Sequence, residues 1–276
     1  MEIIARDGPE VLPAARSVLL AHGGRTPLAA VLFHGLTNNP AQFAAFAPLL
    51  HERGVNVFVP RLPLHGYRDR LTTAIASLTA EMLRGAANEA LDVACGLGER
   101  VAALGISMGA LLAADAAQFR PIAVAVPVAP SFALLQMPHF ISSIFGRVML
   151  RLPNLFLWWD PRLRSSEPPI TAYPRFSTHA LMQGQRIGDA VYSAARRGPP
   201  QAQRIVTIVN PRDPAVNNRT ARHVSSLWAS SNPAGVAYEE LAGLPALHDI
   251  LDPQQPRART DLVYPKLLQA LGATCP

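Results

Sequence analysis

The sequence predicts an α/β protein in which helices cover both faces of a mostly parallel central sheet and a helical cap or lid is inserted. Two observations support this class. Apolar runs rich in β-branched residues alternate with amphipathic helical stretches, which is typical of a parallel sheet buried on both sides. In addition, 49% of the 276 residues are hydrophobic and 16% are charged, which favours a well-buried core over disorder.

Six apolar runs are predicted as strands. In chain order they cover residues 28–33, 55–59, 101–105, 122–128, 204–209 and 236–241. The fourth run belongs to a stretch between Arg120 and Arg147 that contains no charged residue and is long enough to suggest a transmembrane helix. Four prolines interrupt this stretch, so a buried strand followed by an apolar insert is the preferred interpretation.

Amphipathic helices are predicted between these strands and after the last one. The first has Asn39 as its cap, Pro40 at the first helical position and Gly54 at its end. Two more are expected over residues 74–96 and 260–271. The side chains expected on the buried faces are Phe43, Phe46 and Leu50 in the first, Leu78, Met82 and Leu91 in the second, and Leu262, Leu267 and Leu271 in the last.

Residues 132–200 contain no predicted strand and are rich in proline, leucine and aromatic residues. A connection of this length inside a compact domain is usually an active-site lid or a small subdomain. We therefore expect a single domain over residues 1–276, with the cap inserted at about 132–200. Four aromatic side chains of the cap are expected to line a substrate pocket: Phe140, Phe145, Trp158 and Trp159.

The net charge of +6 is concentrated in this same part of the chain. Residues 131–204 contain nine arginines and three acidic residues, whereas the rest of the chain is balanced. A basic, apolar cap favours peripheral contact with an anionic membrane or lipid. A solvated arginine-rich surface explains the same excess slightly better, so both interpretations stay open.

The cysteines and the N-terminus bear on the compartment. Cys95 lies in a predicted helix and Cys275 lies near the C-terminus, so neither a disulfide framework nor metal-ligand spacing is present. Glu2 and Asp7 are unlike the positively charged start of a secretion signal. These features favour a cytoplasmic protein, and no metal site is expected.

One turn in the sequence carries a specific chemical prediction. Ser107 is the centre of Gly105-Ile106-Ser107-Met108-Gly109, between a predicted strand and a predicted helix over residues 110–117. A strand, a Gly-x-Ser-x-Gly turn and a helix together form a nucleophile elbow, in which a strained serine projects its hydroxyl above the sheet edge. Gly105 and Gly109 fit because side chains at these two positions would be crowded. A glycine-flanked serine in an ordinary turn is the alternative.

A serine hydroxyl needs a base to remove its proton and a carboxylate to orient that base. Of eight histidines, His248 is the only one that follows the last predicted strand. Asp213 follows the penultimate strand and is the preferred acid, although an Asp-Pro turn would explain it structurally. Asp249 is a rival, but side chains adjacent in sequence on an extended loop tend to diverge.

Backbone N–H groups are expected to stabilise the negative charge that develops during acyl transfer. Met108, directly after the serine at a helix start, should supply one donor. Leu36 should supply the second, from the loop after the first predicted strand, where Gly35 is expected to permit a tight turn.

The residues His34-Gly35-Leu36, the Ser107 pentapeptide, Asp213 and His248, in that order, resemble the α/β-hydrolase superfamily. The branch that they resemble most is that of bacterial carboxylesterases and monoacylglycerol lipases. The turn Pro63-Leu64-His65-Gly66 is similar to a Gly-His-Gly turn of that branch, with Leu64 where glycine is usual. The resemblance covers nearly the whole chain outside the insert. It implies the α/β-hydrolase fold with a cap, Ser107 as nucleophile, Asp213 as acid, His248 as base, and Leu36 and Met108 as oxyanion donors.

The leading functional hypothesis is a serine esterase, of the carboxylesterase or lipase-like kind, that cleaves a small-molecule ester with an apolar acyl group. It needs no cofactor. The same triad could instead act on a thioester, an amide or a carbon–carbon bond. A non-catalytic hydrolase-fold protein that binds lipid is an alternative from another class. No motif supports a nucleic-acid partner, and nothing in the sequence indicates the oligomeric state.

Overall fold

The computed structural model describes residues 7–134 and 137–273. Glu2 and Cys275, on which part of the compartment prediction depends, lie outside the described residues. The described chain contains a seven-stranded sheet, a separate two-stranded sheet and α-helices on both faces of the large sheet. The α/β fold class predicted from the sequence is therefore confirmed.

The strands of the large sheet are β1 (Val18–Leu20), β2 (Thr26–Phe33), β3 (Asn56–Val59), β4 (Gly98–Ile106), β5 (Val124–Val128), β8 (Arg204–Val209) and β9 (Val236–Glu240). The small sheet consists of β6 (Phe156–Trp158) and β7 (Arg175–Ser177). The helices are α1 (Phe46–His51), α2 (Ala80–Leu97), α3 (Met108–Phe119), α4 (His139–Met149), α5 (Thr178–Ala195), α6 (Asn218–Ser231) and α7 (Thr260–Leu271).

The large sheet has the order β1-β3-β2-β4-β5-β8-β9. Every neighbouring pair is parallel except β1 and β3, which are antiparallel. The six predicted strands all form. The edge strand β1 was not predicted because its three half-buried residues are too short to show a pattern.

Strand β2 shows why the sheet needs cover on both sides. Ala29, Val31 and Phe33 pack into one hydrophobic cluster, together with α2, α3, α5 and α6. Leu28, Ala30 and Leu32 pack into the other, together with α1 and α7. Consecutive side chains of a strand point to opposite faces, so a strand buried on both faces is apolar throughout.

Two predicted helices begin differently from the expectation. The first is a 3₁₀ turn, Pro40–Phe43, capped by Asn39, and is followed by the short α1. In the second, the Thr79 hydroxyl accepts a hydrogen bond from Met82 N, so α2 begins at Ala80 after a separate 3₁₀ turn at Ala74–Ser77. Met82 is 38% exposed, and the prediction that it is buried is wrong because nine residues, or two and a half turns, separate it from the buried Leu91 and place the two on opposite faces of α2.

The predicted absence of strands in residues 132–200 is also wrong. This segment contains α4, α5 and the antiparallel pair β6–β7, in which Leu157 is opposite Phe176. Each strand has three residues, and its partner is distant in sequence, so no local pattern marks the pair. The charge-free stretch forms β5 and most of α4. Among the described residues, no helix has both the length and the apolar character needed to cross a membrane.

Candidate active site

Ser107 lies between β4 and α3, with φ of 58° and ψ of −114°. This is a strained conformation for a residue with a side chain. A Cβ atom at Gly105 would lie 2.1 Å from Gly109 O, and one at Gly109 would lie 2.0 Å from Phe33 O. Both positions therefore exclude every other residue type. Because neither glycine has a side chain, the start of α3 can lie directly against β2 at the sheet edge.

His248 joins Ser107 to Asp213. His248 Nε2 is 2.8 Å from Ser107 Oγ, and His248 Nδ1 is 2.7 Å from Asp213 Oδ2. A carboxylate only accepts, so Nδ1 carries the proton and Nε2 accepts from the serine hydroxyl. The loops after β4, β8 and β9 carry these residues, and parallel strands place all three loops at the same edge of the sheet.

The carboxylate of Asp213 is held in place from its other side. The side chain is fully buried, and its Oδ1 atom accepts a hydrogen bond of 2.8 Å from Ala215 N. Burial lowers the pKa of His248, but the charge and hydrogen bond of Asp213, with a further contribution from the charge of Asp249, outweigh it and raise the pKa above its ordinary value. The imidazolium form is thus stabilised in place.

Asp249, the rival acid, points away from His248. Its Oδ2 accepts hydrogen bonds from Gln42 Nε2 at 2.8 Å and from Asn38 Nδ2 at 3.3 Å. Its Oδ1 accepts from the backbone N–H of Leu251. Asp249 therefore ties the loop that carries His248 to the loop that follows β2.

That second loop is restrained on both sides of the Leu36 peptide. Gly35 N donates to Gln42 Oε1 at 2.9 Å, and His34 Nδ1 donates to Gly35 O at 2.9 Å. His65 lies between two carbonyl oxygens, with Nε2 2.6 Å from Leu36 O and Nδ1 2.8 Å from Pro63 O. Leu36 itself lines the same cavity as Ser107. These bonds fix the orientation of the backbone beside the serine.

The two histidines below this loop are buried and neutral. Burial, followed by the charge of His65, lowers the pKa of His34 well below its ordinary value. Burial likewise lowers the pKa of His65 to about 4. His34 Nε2 accepts from Leu62 N, which places its remaining proton on Nδ1. Neutral imidazoles support the loop without adding charge next to Ser107.

Gly35 does not have the left-handed backbone expected of a tight turn, and a Cβ atom there would lie 3.8 Å from Ser107 Cβ, an ordinary contact. A turn does begin at Gly35, whose carbonyl oxygen accepts a hydrogen bond of 3.2 Å from Asn38 N, and the role of the glycine in this turn stays a prediction. Leu64 does adopt a left-handed φ of 66°, at the position where the resemblance has glycine.

Ser107 and His248 open onto a cavity of about 330 Å³. Leu36 and Met108 line it from the sheet edge. The segment between β5 and β8 closes the other side with mostly apolar side chains: Trp159, Glu167, Pro168, Pro169, Ala172, Tyr173, Pro174, Leu181 and Gly184.

Of the four aromatic residues predicted for this pocket, only Trp159 lines the cavity. Phe140 and Phe145, on α4, are 64% and 39% exposed, and the Trp158 ring lies near the Arg175 guanidinium. Phe140 and Phe145 lie elsewhere because α4 packs through its small residues, which turns its aromatic side chains outward.

Arg70 and Gln42 contribute to this site but were not predicted from the sequence. The Arg70 guanidinium donates to the carbonyl oxygens of Ser165, Glu167 and Ala172 and so joins the cavity wall to the segment between β3 and α2. Gln42 joins Gly35 to Asp249. Both residues act through contacts distant in sequence, and the only local signal is that Gln42 is a polar residue in an otherwise apolar face.

Comparison with known proteins identifies the family to which the chain belongs. Residues 30–273 match the model of the alpha/beta hydrolase family, and the chain belongs to that family. Among curated protein sequences, none matches the chain.

Several solved structures share the fold. The monoacylglycerol lipase of Paleococcus ferrophilus is 19% identical, with 94% of this chain and 98% of that chain covered and a TM-score of 0.69. A metagenome-derived lipolytic enzyme is 20% identical, with coverages of 96% and 100% and a TM-score of 0.67. A soluble variant of monoglyceride lipase from Saccharomyces cerevisiae is 14% identical, with coverages of 95% and 92% and a TM-score of 0.67. The resemblance to the α/β-hydrolase superfamily drawn from the sequence is confirmed.

Proposed function

We propose that this protein is a serine hydrolase of carboxylic esters. The observation that carries the proposal is the unbroken hydrogen-bond chain from Ser107 through His248 to Asp213, opening onto a largely apolar cavity. The family and its lipase and esterase neighbours support hydrolysis of esters. Asp213 is assigned as the acid, and Asp249 as a residue that positions the two loops.

In the proposed reaction, Ser107 Oγ attacks the ester carbonyl while His248 Nε2 accepts the serine proton. The carbonyl oxygen becomes an oxyanion between the Leu36 and Met108 N–H groups. Met108 is the first residue of α3, so the positive end of the helix dipole also favours this charge. His248 then protonates the departing alcohol, and a water molecule that His248 activates releases the acid from Ser107.

The proposed substrate has an apolar acyl group of short to medium length. The segment at about residues 132–200 serves as the cap of a single hydrolase domain. Trp159, Tyr173 and Leu181 line the cavity, and we assign the acyl group to these side chains. A volume of about 330 Å³ is at the small end of the range for ligand pockets, about 300–1,000 Å³. We therefore expect kcat/KM to fall as the acyl chain of p-nitrophenyl esters lengthens.

A fluorophosphonate probe tests the proposal directly. The folded protein should be labelled on Ser107 and should lose esterase activity in proportion, whereas the Ser107→Ala variant should be neither labelled nor active. A protein that is folded by circular dichroism but remains unlabelled would favour the non-catalytic, lipid-binding alternative. Comparison of matched oxygen esters, thioesters and amides in the same assay would separate the alternative substrates.

The outer surface of the cap supports a second proposal, contact with an anionic lipid surface. Helix α4 exposes Phe140, Ile141, Ile144 and Val148, and Arg147 and Arg151 lie beside them in the sequence. Exposed apolar side chains with neighbouring cations are typical of interfacial helices. We expect more binding to vesicles that contain phosphatidylglycerol than to pure phosphatidylcholine vesicles, and weaker binding in high salt. Equal binding would assign the arginines to a solvated surface.

A further inference from the structure

A second cavity, of about 700 Å³, lies outside the candidate active site, between α4, α5 and α6. Three arginines line it: Arg147 on α4, Arg196 at the C-terminal cap of α5 and Arg219 in the first turn of α6. None of its lining residues belongs to the cavity of Ser107. Because the arginines come from three helices, they are brought together only by the fold.

Within the described residues, these three guanidiniums have no carboxylate partner. The only acidic residue that lines the cavity is Asp189, and its oxygens are already used. Asp189 Oδ2 accepts from Ser143 Oγ at 2.7 Å, Asp189 Oδ1 accepts from Gln185 Nε2 at 2.9 Å, and His139 Nε2 lies 3.1 Å from Asp189 Oδ1. Burial opposes the charge of Asp189, but these three contacts outweigh it and lower its pKa. The cavity thus keeps an excess of positive charge.

The position of Arg219 is unfavourable for the helix that carries it. A cation in the first turn is repelled by the positive end of the helix dipole, and the Asn217 side chain already accepts from the backbone N–H groups of Arg219 and Thr220. Helix stability therefore does not explain Arg219. An anion bound beside Arg219 would be attracted both by the guanidinium and by the positive end of the helix dipole, and would thereby offset the repulsion between them.

One wall of the cavity is apolar and continues onto the exposed surface of α4. Phe140 and Ile144 both line the cavity, and they are 64% and 57% exposed. A ligand that used the whole site would carry an anionic group for the arginines and an apolar part for these two side chains. Inorganic phosphate satisfies only the first requirement.

We propose that this cavity binds the phosphate headgroup of an anionic phospholipid, with the exposed apolar side chains of α4 in contact with its acyl region. Guanidinium groups suit this role because they form paired hydrogen bonds with phosphate oxygens. The proposal rests on the lipid contact proposed for the cap but does not require catalysis. The lipid contact proposed for the cap requires only a general attraction between basic residues and anionic lipid, whereas this proposal assigns the headgroup to three particular arginines.

The test compares two triple variants with the same change in charge, both in a Ser107→Ala background. One removes the cavity arginines, as Arg147→Gln, Arg196→Gln and Arg219→Gln. The other removes three exposed cap arginines that do not line the cavity, as Arg151→Gln, Arg162→Gln and Arg197→Gln. Sedimentation with vesicles of phosphatidylcholine, with and without phosphatidylglycerol, measures the partition of each variant.

Both triple variants should bind more weakly than the parent protein, because each arginine near an anionic surface contributes to binding. The cavity variant should lose at least about tenfold more partition than its matched control. Equal losses would overturn the headgroup site and leave the general lipid contact standing, whereas no vesicle binding by the parent protein would overturn both. Saturable binding of inorganic phosphate that the cavity variant lacks, with unchanged vesicle binding, would also overturn the choice of a lipid.

The single variant Arg219→Gln provides a second readout. Removing a cation from the first turn of α6 should raise Tm slightly, while vesicle binding weakens. Lower stability together with weaker binding would instead indicate a structural role for Arg219 and contradict the proposal.

Discussion

Helix α7, which packs on the large sheet, and helix α4, in the segment proposed as the cap, have similar apolar content but bury opposite kinds of face. Helix α7, on the sheet, buries Val263, Leu267 and Leu271. Helix α4, in the cap, buries Ser142, Ser143 and Gly146 and exposes its large apolar side chains. Of the fourteen exposed large apolar side chains in the described part of the chain, eleven lie between Phe140 and Ile170. The same kind of sequence stabilises the fold in one region and forms an outer surface in the other.

The contacts between α4 and α5 explain this reversal. Ser142 Oγ donates to Gln185 Oε1, and Ser143 Oγ donates to Asp189 Oδ2. A Cβ atom at Gly146 would lie 3.3 Å from Met182 Sδ, so the glycine permits close approach of the two helices. The small and polar face of α4 is therefore satisfied by α5. The apolar face is left outward, which is the face expected to meet lipid.

The largest expected effect is the difference in kcat between variants of Asp213 and Asp249, the two acidic residues near His248. Asp213→Asn should lower kcat by about 10⁴, as loss of the orienting carboxylate does in serine hydrolases. Asp249→Asn should cost about 10- to 100-fold, because it disturbs the contact with Gln42 rather than the bond to His248. Steady-state kinetics on one p-nitrophenyl ester measures both. A larger loss in Asp249→Asn would reverse the assignment of the acid.

The pH profile provides an independent check of the same pair. His248 must be neutral to accept the serine proton, so kcat/KM should rise with pH through a pKa above 6.5, the ordinary value from which it is raised. Asp249→Asn removes a negative charge that stabilises the imidazolium. The acidic limb should therefore move to lower pH in this variant, and an unmoved limb would show that the charge of Asp249 does not act on His248.

The comparison of the two helices can be tested through stability. Leu267→Ala in α7 should lower the free energy of unfolding by about 2–5 kcal/mol, because Leu267 is fully buried. Ile144→Ala in α4 should change it by no more than about 0.5 kcal/mol, because Ile144 is 57% exposed. Urea unfolding followed by circular dichroism measures both. Similar losses would mean that another surface covers α4 in solution.

Gln42→Ala should lower kcat by about 10- to 100-fold with little change in KM, because Gln42 holds Gly35 N and thereby the adjacent Leu36 peptide. Gln255→Ala is the matched control: Gln255 also donates to Asp249, at 3.3 Å, but has no bond to the loop after β2. The control should keep most of its activity. Equal losses in the two variants would assign the effect to Asp249 alone.

The smallest effect concerns Asp252. Burial, together with the charge of Asp249, raises its pKa to about 6. Since its pKa is raised on folding, the stability that it contributes is present below about pH 4 and is lost as pH rises through 6. Asp252→Asn should therefore raise Tm at pH 8 by about 2–4 °C, the effect of about 1 kcal/mol in a chain of this size, and leave Tm at pH 4 nearly unchanged. A uniform shift at both pH values would point to packing instead of charge.

Features that depend on local geometry could be predicted from the order of the amino acids alone. Alternation of apolar runs and helices predicted six of the seven strands of the large sheet, and the bounds of α7 agree with the prediction. The Ser107 turn was recognisable because the positions two before and two after the serine have no room for a side chain, and both are glycine. Asp213 and His248 could be chosen because loops that follow parallel strands meet at one edge of the sheet.

The polar groups that meet across that edge could be identified only from the folded protein. Asp213 rather than Asp249 bonds to His248, and Gln42 reaches Asp249 across 207 residues of chain. It also decided which face of α4 is buried, because polar contacts with Gln185 and Asp189 outweigh the apolar pattern of the helix. Such choices depend on the fit between distant surfaces, and no pattern within a single segment contains that information.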